Sequence, residues 1–159
     1  MEVIAALLFG LILIFAFVVF YGAPYLPTIK PQVQTAFELL DLKPGQTLLE
    51  LGSGDGKVLL AAARAGYNAV GIELNPVLVL VSLWRTKKYR KQVRVVWGNF
   101  WKETWPKSDA VFVFLLDRFM PKLDERMKTY GGPLASIAFT VPRKRASVEK
   151  NGVFLYRYK

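Results

Sequence analysis

Five residues, Thr47-Leu48-Leu49-Glu50-Leu51, run straight into Gly52-Ser53-Gly54-Asp55-Gly56-Lys57 and then into an Ala- and Leu-rich stretch, Val58 to Ala65, that stops at Gly66. The short apolar run reads as a strand and the longer one as a helix. Three glycines therefore occupy the strand-to-helix junction, where they admit left-handed backbone angles and let another molecule lie against the main chain. The same alternation continues down the chain. Ala69 to Glu73 is a second strand, followed by a helix that opens near Pro76 and reaches Lys87; Val93 to Trp97 is a third and Ala110 to Leu115 a fourth. A helix from Pro121 to about Tyr130 precedes a fifth strand, Ser136 to Val141, and Val153 to Tyr158 closes the chain.

Strands alternating with helices of about ten residues build a parallel, doubly wound sheet with helices on both faces, and its ligand belongs at the carboxyl ends of the strands. The predicted fold is thus α/β and Rossmann-like, with a minimal, mostly parallel sheet over residues 44–159. One strand follows the fifth, and no helix separates them.

The start of the chain is different in kind. Val3 to Tyr21 carries no charged residue, and about 20 apolar residues suffice to cross a bilayer as a helix. A cleaved secretory signal would need a positive start and a small-x-small site; only Glu2 precedes the run, and Phe20-Tyr21-Gly22-Ala23-Pro24 is a poor cleavage site. Residues 1–22 are therefore expected to form one N-terminal transmembrane helix. Residues 23–43 form a proline-stiffened linker and a helix that has Pro31 in its first turn. Every Lys and Arg lies beyond Gly22, which places the domain on the cytoplasmic side of a single-pass membrane protein. The net charge of +10 suits an anionic lipid surface or an acidic protein partner, with nucleic acid behind both.

The chain has no Cys and no His. Disulfides, thiol nucleophiles, histidine bases and the common zinc sites are excluded, no metal site is expected, and chemistry needing little side-chain acid–base work is favoured. In a dinucleotide-binding loop the third glycine would come one position later, where Lys57 stands. The spacing Gly52-x-Gly54-x-Gly56, with Glu50 two positions before it, instead resembles motif I of the seven-strand class of S-adenosylmethionine methyltransferases. Glu73, about twenty residues on at the end of the second strand, is placed to accept both hydroxyls of a ribose. Ser53 and Leu74 adjoin these two features, and Glu50 positions the methionine end of the cofactor or the glycine loop itself. By resemblance to the same class, Asn99 and Phe100 after the third strand could meet an adenine edge and ring; otherwise they form an ordinary turn with a core aromatic. After the fourth, Asp117 could orient an acceptor amine or cap the next helix. The acidic or amide residue followed by Pro-Pro and an aromatic, typical of nucleic-acid amino-methyltransferases, is absent, which argues against a base as substrate.

With Tyr25-Leu26-Pro27-Thr28, Glu50 to Lys57 and Glu73-Leu74-Asn75-Pro76, the chain resembles a family of small membrane-anchored protein-lysine methyltransferases. Its mitochondrial members modify the ATP synthase c subunit and the adenine nucleotide translocase. The resemblance implies S-adenosylmethionine as cofactor, a protein substrate with an accessible lysine, and Tyr25 and Thr28 folded back to close the site. The chain departs from the family where Leu115-Leu116-Asp117 replaces a Gly-Val-Pro-like turn, so the resemblance carries the cofactor site further than the substrate. Methylation of a lipophilic acceptor such as a quinone or lipid head group, and a non-catalytic membrane adaptor, are the other readings.

Overall fold

The computed structural model describes residues 1–5, 8–10, 12 and 30–159. Seven strands form one sheet: β1 (Thr47–Leu51), β2 (Asn68–Glu73), β3 (Val93–Trp97), β4 (Ala110–Val113), β5 (Gly132–Ile137), β6 (Val148–Lys150) and β7 (Val153–Tyr158). Their order is β3-β2-β1-β4-β5-β7-β6. The first five run parallel and the β6–β7 hairpin is antiparallel. The doubly wound, mostly parallel expectation holds.

Helices α1 (Lys30–Leu40), α2 (Lys57–Arg64) and α3 (Pro76–Thr86) lie on one face, and α4 (Met120–Tyr130) on the other. Even-numbered β1 residues face the first layer and odd-numbered ones the second, as a period of two requires: Leu48 packs with Ala36, Leu59 and Phe112, whereas Leu49 and Leu51 pack with Met120, Leu123 and Tyr156. The central strands are buried on both faces, which explains their unbroken apolar runs.

Two expectations at the end of the chain need correction. The fifth strand starts at Gly132 and not at Ser136, and it ends at Ile137 because Ala138 turns the chain with φ 64°. Pro133 hid its beginning, yet it pairs only with Arg157 of β7, one residue before pairing with β4 begins at Leu134, a place where a strand tolerates proline. Two strands follow the fifth, not one: the expected Val153–Tyr158 is β7, and β6 precedes it, the chain reversing between them at Asn151 and Gly152, both at positive φ.

Between β3 and β4 the described residues form no helix. A loop covers the second face there, held by Trp105 Nε1 donating to the Phe100 carbonyl at 2.7 Å and by Arg126 of α4 donating to the carbonyls of Trp101 and Glu103. Among the described residues no helix is long and apolar enough to cross a membrane. The expected anchor falls mainly on 6–7, 11 and 13–22, outside the described residues; residues 2–5, 8–10 and 12 are helical, with Val3, Ile4, Leu8, Phe9 and Ile12 exposed.

Candidate functional site

The carboxyl ends of β1 and β2 meet at the glycine loop. Gly52, Gly54 and Gly56 all have positive φ (77°, 53° and 77°), a region where a side chain would strain the backbone. Gly52 and Ser53 donate their N–H groups to the Ile72 carbonyl, which folds the loop back over β2. Space is as restrictive as conformation at Gly56: a Cβ there would lie 2.2 Å from Ser82 Oγ and 2.9 Å from its Cβ. Gly71 performs a matching role inside β2, where a Cβ would come within 2.6 Å of Ser53 and Leu59. Gly71 belongs to no motif; the signal that could have marked it is an isolated glycine inside a strand.

Glu73 is buried and fixed from two sides. Its Oε2 accepts the Gly54 N–H and its Oε1 the Asn75 N–H, both at 2.8 Å. Burial pushes this carboxyl above its ordinary value, while the backbone donors at Asn75, Gly54 and Leu74 pull the other way. Asn75 accepts from Val77 and Leu78 and so caps α3, with Pro76 at the first helical position. Thus Glu-Leu-Asn-Pro is one device: the carboxylate grips the glycine loop, and the next residues launch the helix beneath it.

Glu50 lies beside Glu73 on the same sheet face, buried to 5% exposure. Burial holds its carboxyl well above the usual range, with the charges of Glu73 and Asp55 adding to the effect. Asp55 is itself paired, with Lys57 Nζ at 3.2 Å and Arg85 at 3.0 Å, tying the loop to α3. Among the described residues, the buried side-chain polar atoms without a hydrogen-bond partner are Glu50 Oε2, Ser53 Oγ, Asn75 Nδ2, Ser82 Oγ and Arg85 Nε. All lie in the glycine loop, in the strand before it or in the segment from Asn75 through α3. A buried polar group left unpaired costs about 1–3 kcal/mol, so several gathered in one place mark a surface built for a polar ligand.

The other expected residues divide. Phe100 is buried in the core, and its ring edge lies 4.0 Å from where a Gly52 Cβ would be, so it is at once a core residue and a wall of the site. Asn99 accepts the Trp101 N–H at 2.9 Å on Oδ1, closing its own turn. Leu74 is partly buried, and its carbonyl accepts from Trp97 Nε1. Asp117 is exposed at the start of a 3₁₀ turn, Asp117–Phe119. The capping alternative for it is corrected: neither that turn nor α4 has a side-chain cap hydrogen bond, and Phe119 stands at the α4 cap. Tyr25 and Thr28 lie outside the described residues. Among the described residues no cluster could hold a metal.

A parallel sheet turned by a glycine loop at β1, with a carboxylate at the end of β2, defines the S-adenosylmethionine-dependent methyltransferase fold class, and solved structures agree. The RNA methyltransferase from Salinibacter ruber, in complex with S-adenosyl-L-homocysteine, superposes with a TM-score of 0.76 at 30% identity, over 84% of this chain and 92% of that one. Within the class, the model of the ANTKMT methyltransferase domain matches residues 50–147, and the chain belongs to that family. It is 33% identical over 108 residues to the lysine N-methyltransferase of the ATP synthase c subunit from Xenopus laevis, covering 67% of this chain and 47% of that protein. It is 29% identical over 114 residues to a protein-lysine N-methyltransferase of Saccharolobus islandicus, covering 66% and 70%. The chain spans about half the length of the vertebrate relatives it matches.

Proposed function

We propose that this protein is an S-adenosylmethionine-dependent protein-lysine N-methyltransferase acting on a membrane or membrane-proximal protein, tethered by its N-terminal apolar run with the domain on the cytoplasmic side. The observation that carries the reading is the buried pair Glu50 and Glu73 beneath the glycine loop, with unpaired polar atoms around it. Those residues fit the cofactor. It has hydroxyls for the lone pairs that Glu73 keeps free and cationic groups for a carboxylate cluster on an otherwise basic protein. Bound there, the cofactor supplies an electrophilic methyl group.

The chain's own contribution is positioning. The backbone at Gly52, Gly54 and Gly56 approaches the ligand closely, Glu73 accepts from the sugar, and Phe100 walls the site. Burial holds the Glu50 carboxyl above its ordinary range, and a cation beside it favours the ionised form. Displacement at a methyl group needs an in-line acceptor held at about 3–3.5 Å and no metal or histidine. A lysine acceptor must be neutral, and a desolvated approach lowers its pKa. Asp117, exposed after β4, is proposed to orient it, and Tyr25 and Thr28 to close the site.

Calorimetric titration of S-adenosylmethionine tests the cofactor assignment. Incubation with methyl-labelled cofactor and host membranes tests the acceptor: the label is expected in protein. Label in lipid would favour the lipophilic acceptor, and label in RNA a role like that named for the Salinibacter relative, which the lack of a Pro-Pro-aromatic turn after β4 opposes.

A further inference from the structure

Two helices of eleven residues lie on opposite faces of the sheet, and their outer surfaces differ. On α4 the outward positions include Lys122, Glu125 and Lys128, an ordinary solvated mixture of signs. On α3 they are Leu80, Leu83 and Trp84, exposed to 67%, 47% and 68%. These follow the i, i+3, i+4 spacing of a single stripe. The one charged residue of α3, Arg85, is turned toward Asp55. Trp97, also 67% exposed, lies on the edge strand β3, and its indole donates to the Leu74 carbonyl, which sets it beside the start of the same helix.

The exposed charges bordering this stripe are mostly of one sign: Asp55 is already paired with Arg85 and Lys57, and Glu103 is turned in against Gly98. No Asp or Glu occurs between Glu73 and Glu103. Lys87, Lys88, Arg90, Lys91 and Arg94 are all exposed, Lys87 with its ammonium 5.2 Å from the Trp84 ring. Exposed leucines and tryptophans bordered by an excess of cations form the pattern that settles into a bilayer interface, where indoles sit at head-group depth and Lys and Arg meet anionic lipid. A second copy of the chain would bring cation against cation. Single-stranded nucleic acid would stack on the indoles and leave Leu80 and Leu83 without an apolar partner.

We infer that the α3 stripe, Leu80, Leu83, Trp84 and Trp97 with the basic run from Lys87 to Arg94, is a docking surface for an anionic lipid bilayer. It rests on the membrane tethering proposed above and adds an orientation to it: the domain lies on the membrane by its α3 and β3 edge, which brings the start of α3 and the adjoining glycine loop near the lipid surface, while the outer face of α4 points to water. A tether alone would leave the domain free to tumble.

The absence of cysteine permits a direct test. Leu83→Cys and, as control, Glu125→Cys each carry one nitroxide on the full chain in nanodiscs, and collision with oxygen, which partitions into lipid, is compared with collision with a water-soluble nickel chelate. In phosphatidylserine-containing discs the label at 83 should favour oxygen several-fold over the label at 125, and the preference should fall in purely phosphatidylcholine discs. Equal nickel access at both positions would overturn the inference while leaving the tether intact. Loss of the chain from the discs would overturn both. A preference equal in the two lipids would remove the electrostatic part and with it the proposal. Shielding of position 83 in detergent that grows with protein concentration would assign the face to a second copy, and shielding by single-stranded RNA with none from discs would assign it to nucleic acid. Because none of these measurements reads methyl transfer, the proposed activity can stand or fall separately.

Discussion

The two halves of the sheet treat their buried polar groups in opposite ways. Around β1, β2 and α3, Glu50, Ser53, Asn75, Ser82 and Arg85 each leave an atom unpaired. Around β5, β7 and α4, each such group in view has a partner: Tyr156 accepts the Val141 N–H at 3.0 Å, Tyr158 donates to Asp124 at 2.7 Å, Ser136 donates to the Phe139 carbonyl, and Tyr130 meets Ser108 and Pro106. The first half forgoes stability to present unsatisfied atoms; the second pins down the loop from Ala138 to Ser147, which has no helix to hold it. Residues that cost stability when free are the ones a ligand can repay.

The sharpest way to break this contrast is to compare glycines. Gly56→Ala meets both a left-handed φ and the Ser82 side chain, and should lose at least about 3 kcal/mol of stability, read from the denaturant midpoint, together with measurable cofactor binding. Gly132→Ala has a similar φ of 83° and open space around it, so its loss should stay near 1–2 kcal/mol with binding intact. Comparable losses at the two positions would dissolve the distinction.

Next in size, Glu73→Ala strips the Gly54 and Asn75 amides of their acceptor and should weaken cofactor affinity about 100-fold or more by calorimetry, a loss of about 3 kcal/mol. Unchanged affinity would remove Glu73 from the site.

Glu50→Gln should separate stability from binding. The folded protein holds this carboxyl above its unfolded value, so the stability linked to it is full below the unfolded value and is lost as pH rises through the folded one. At neutral pH the variant should therefore be more stable than the parent, by about 1 kcal/mol, while binding the cationic cofactor less well. Titration in buffers of different ionisation enthalpy should show the parent releasing protons on binding and the variant releasing fewer. A variant that is less stable at every pH would refute this account of Glu50.

Tyr158→Phe is the counterpart in the paired half, with an expected cost of about 1 kcal/mol and no change in affinity. Burial works to raise Asp124, but the Tyr158 hydroxyl and the Lys128 ammonium outweigh it and hold the carboxyl below its ordinary value. Its stabilisation is present above the unfolded value and is lost as pH falls through the folded one. The variant should lose part of this acid-side dependence. The smallest structural effect belongs to Asp117→Asn: stability within about 0.5 kcal/mol, as for an exposed residue without a cap role, and methyl-transfer rate down about tenfold if the carboxylate orients the acceptor. An unchanged rate would leave the acceptor side without a named residue.

The first half was the legible one. Strand β1, the glycine loop, Glu73 and α3 could be read from the chain because each is set by local chemistry: apolar runs, positive-φ glycines, and an Asn-Pro helix start whose distance from the loop is fixed by one strand–helix–strand unit. The second half was read less well. Gly132 and Pro133 look like a turn but open β5, and Ser136 to Val141 looks like a strand but bends at Ala138. The outcome there depends on pairing with β7, contributed from the end of the chain.

The order of residues alone thus determined the sheet class, the glycine loop and the carboxylate that adjoins it, since these follow from short-range periodicity and backbone freedom. Tertiary structure decided what periodicity cannot express. It set which of Glu73's oxygens hold the loop, that Glu50 is buried with one oxygen unpaired, that Asp117 caps nothing, and that Leu80, Leu83 and Trp84 face outward on a helix whose composition suggests burial. Those properties depend on what lies across space from each group, and burial and pairing are defined only once distant segments have met.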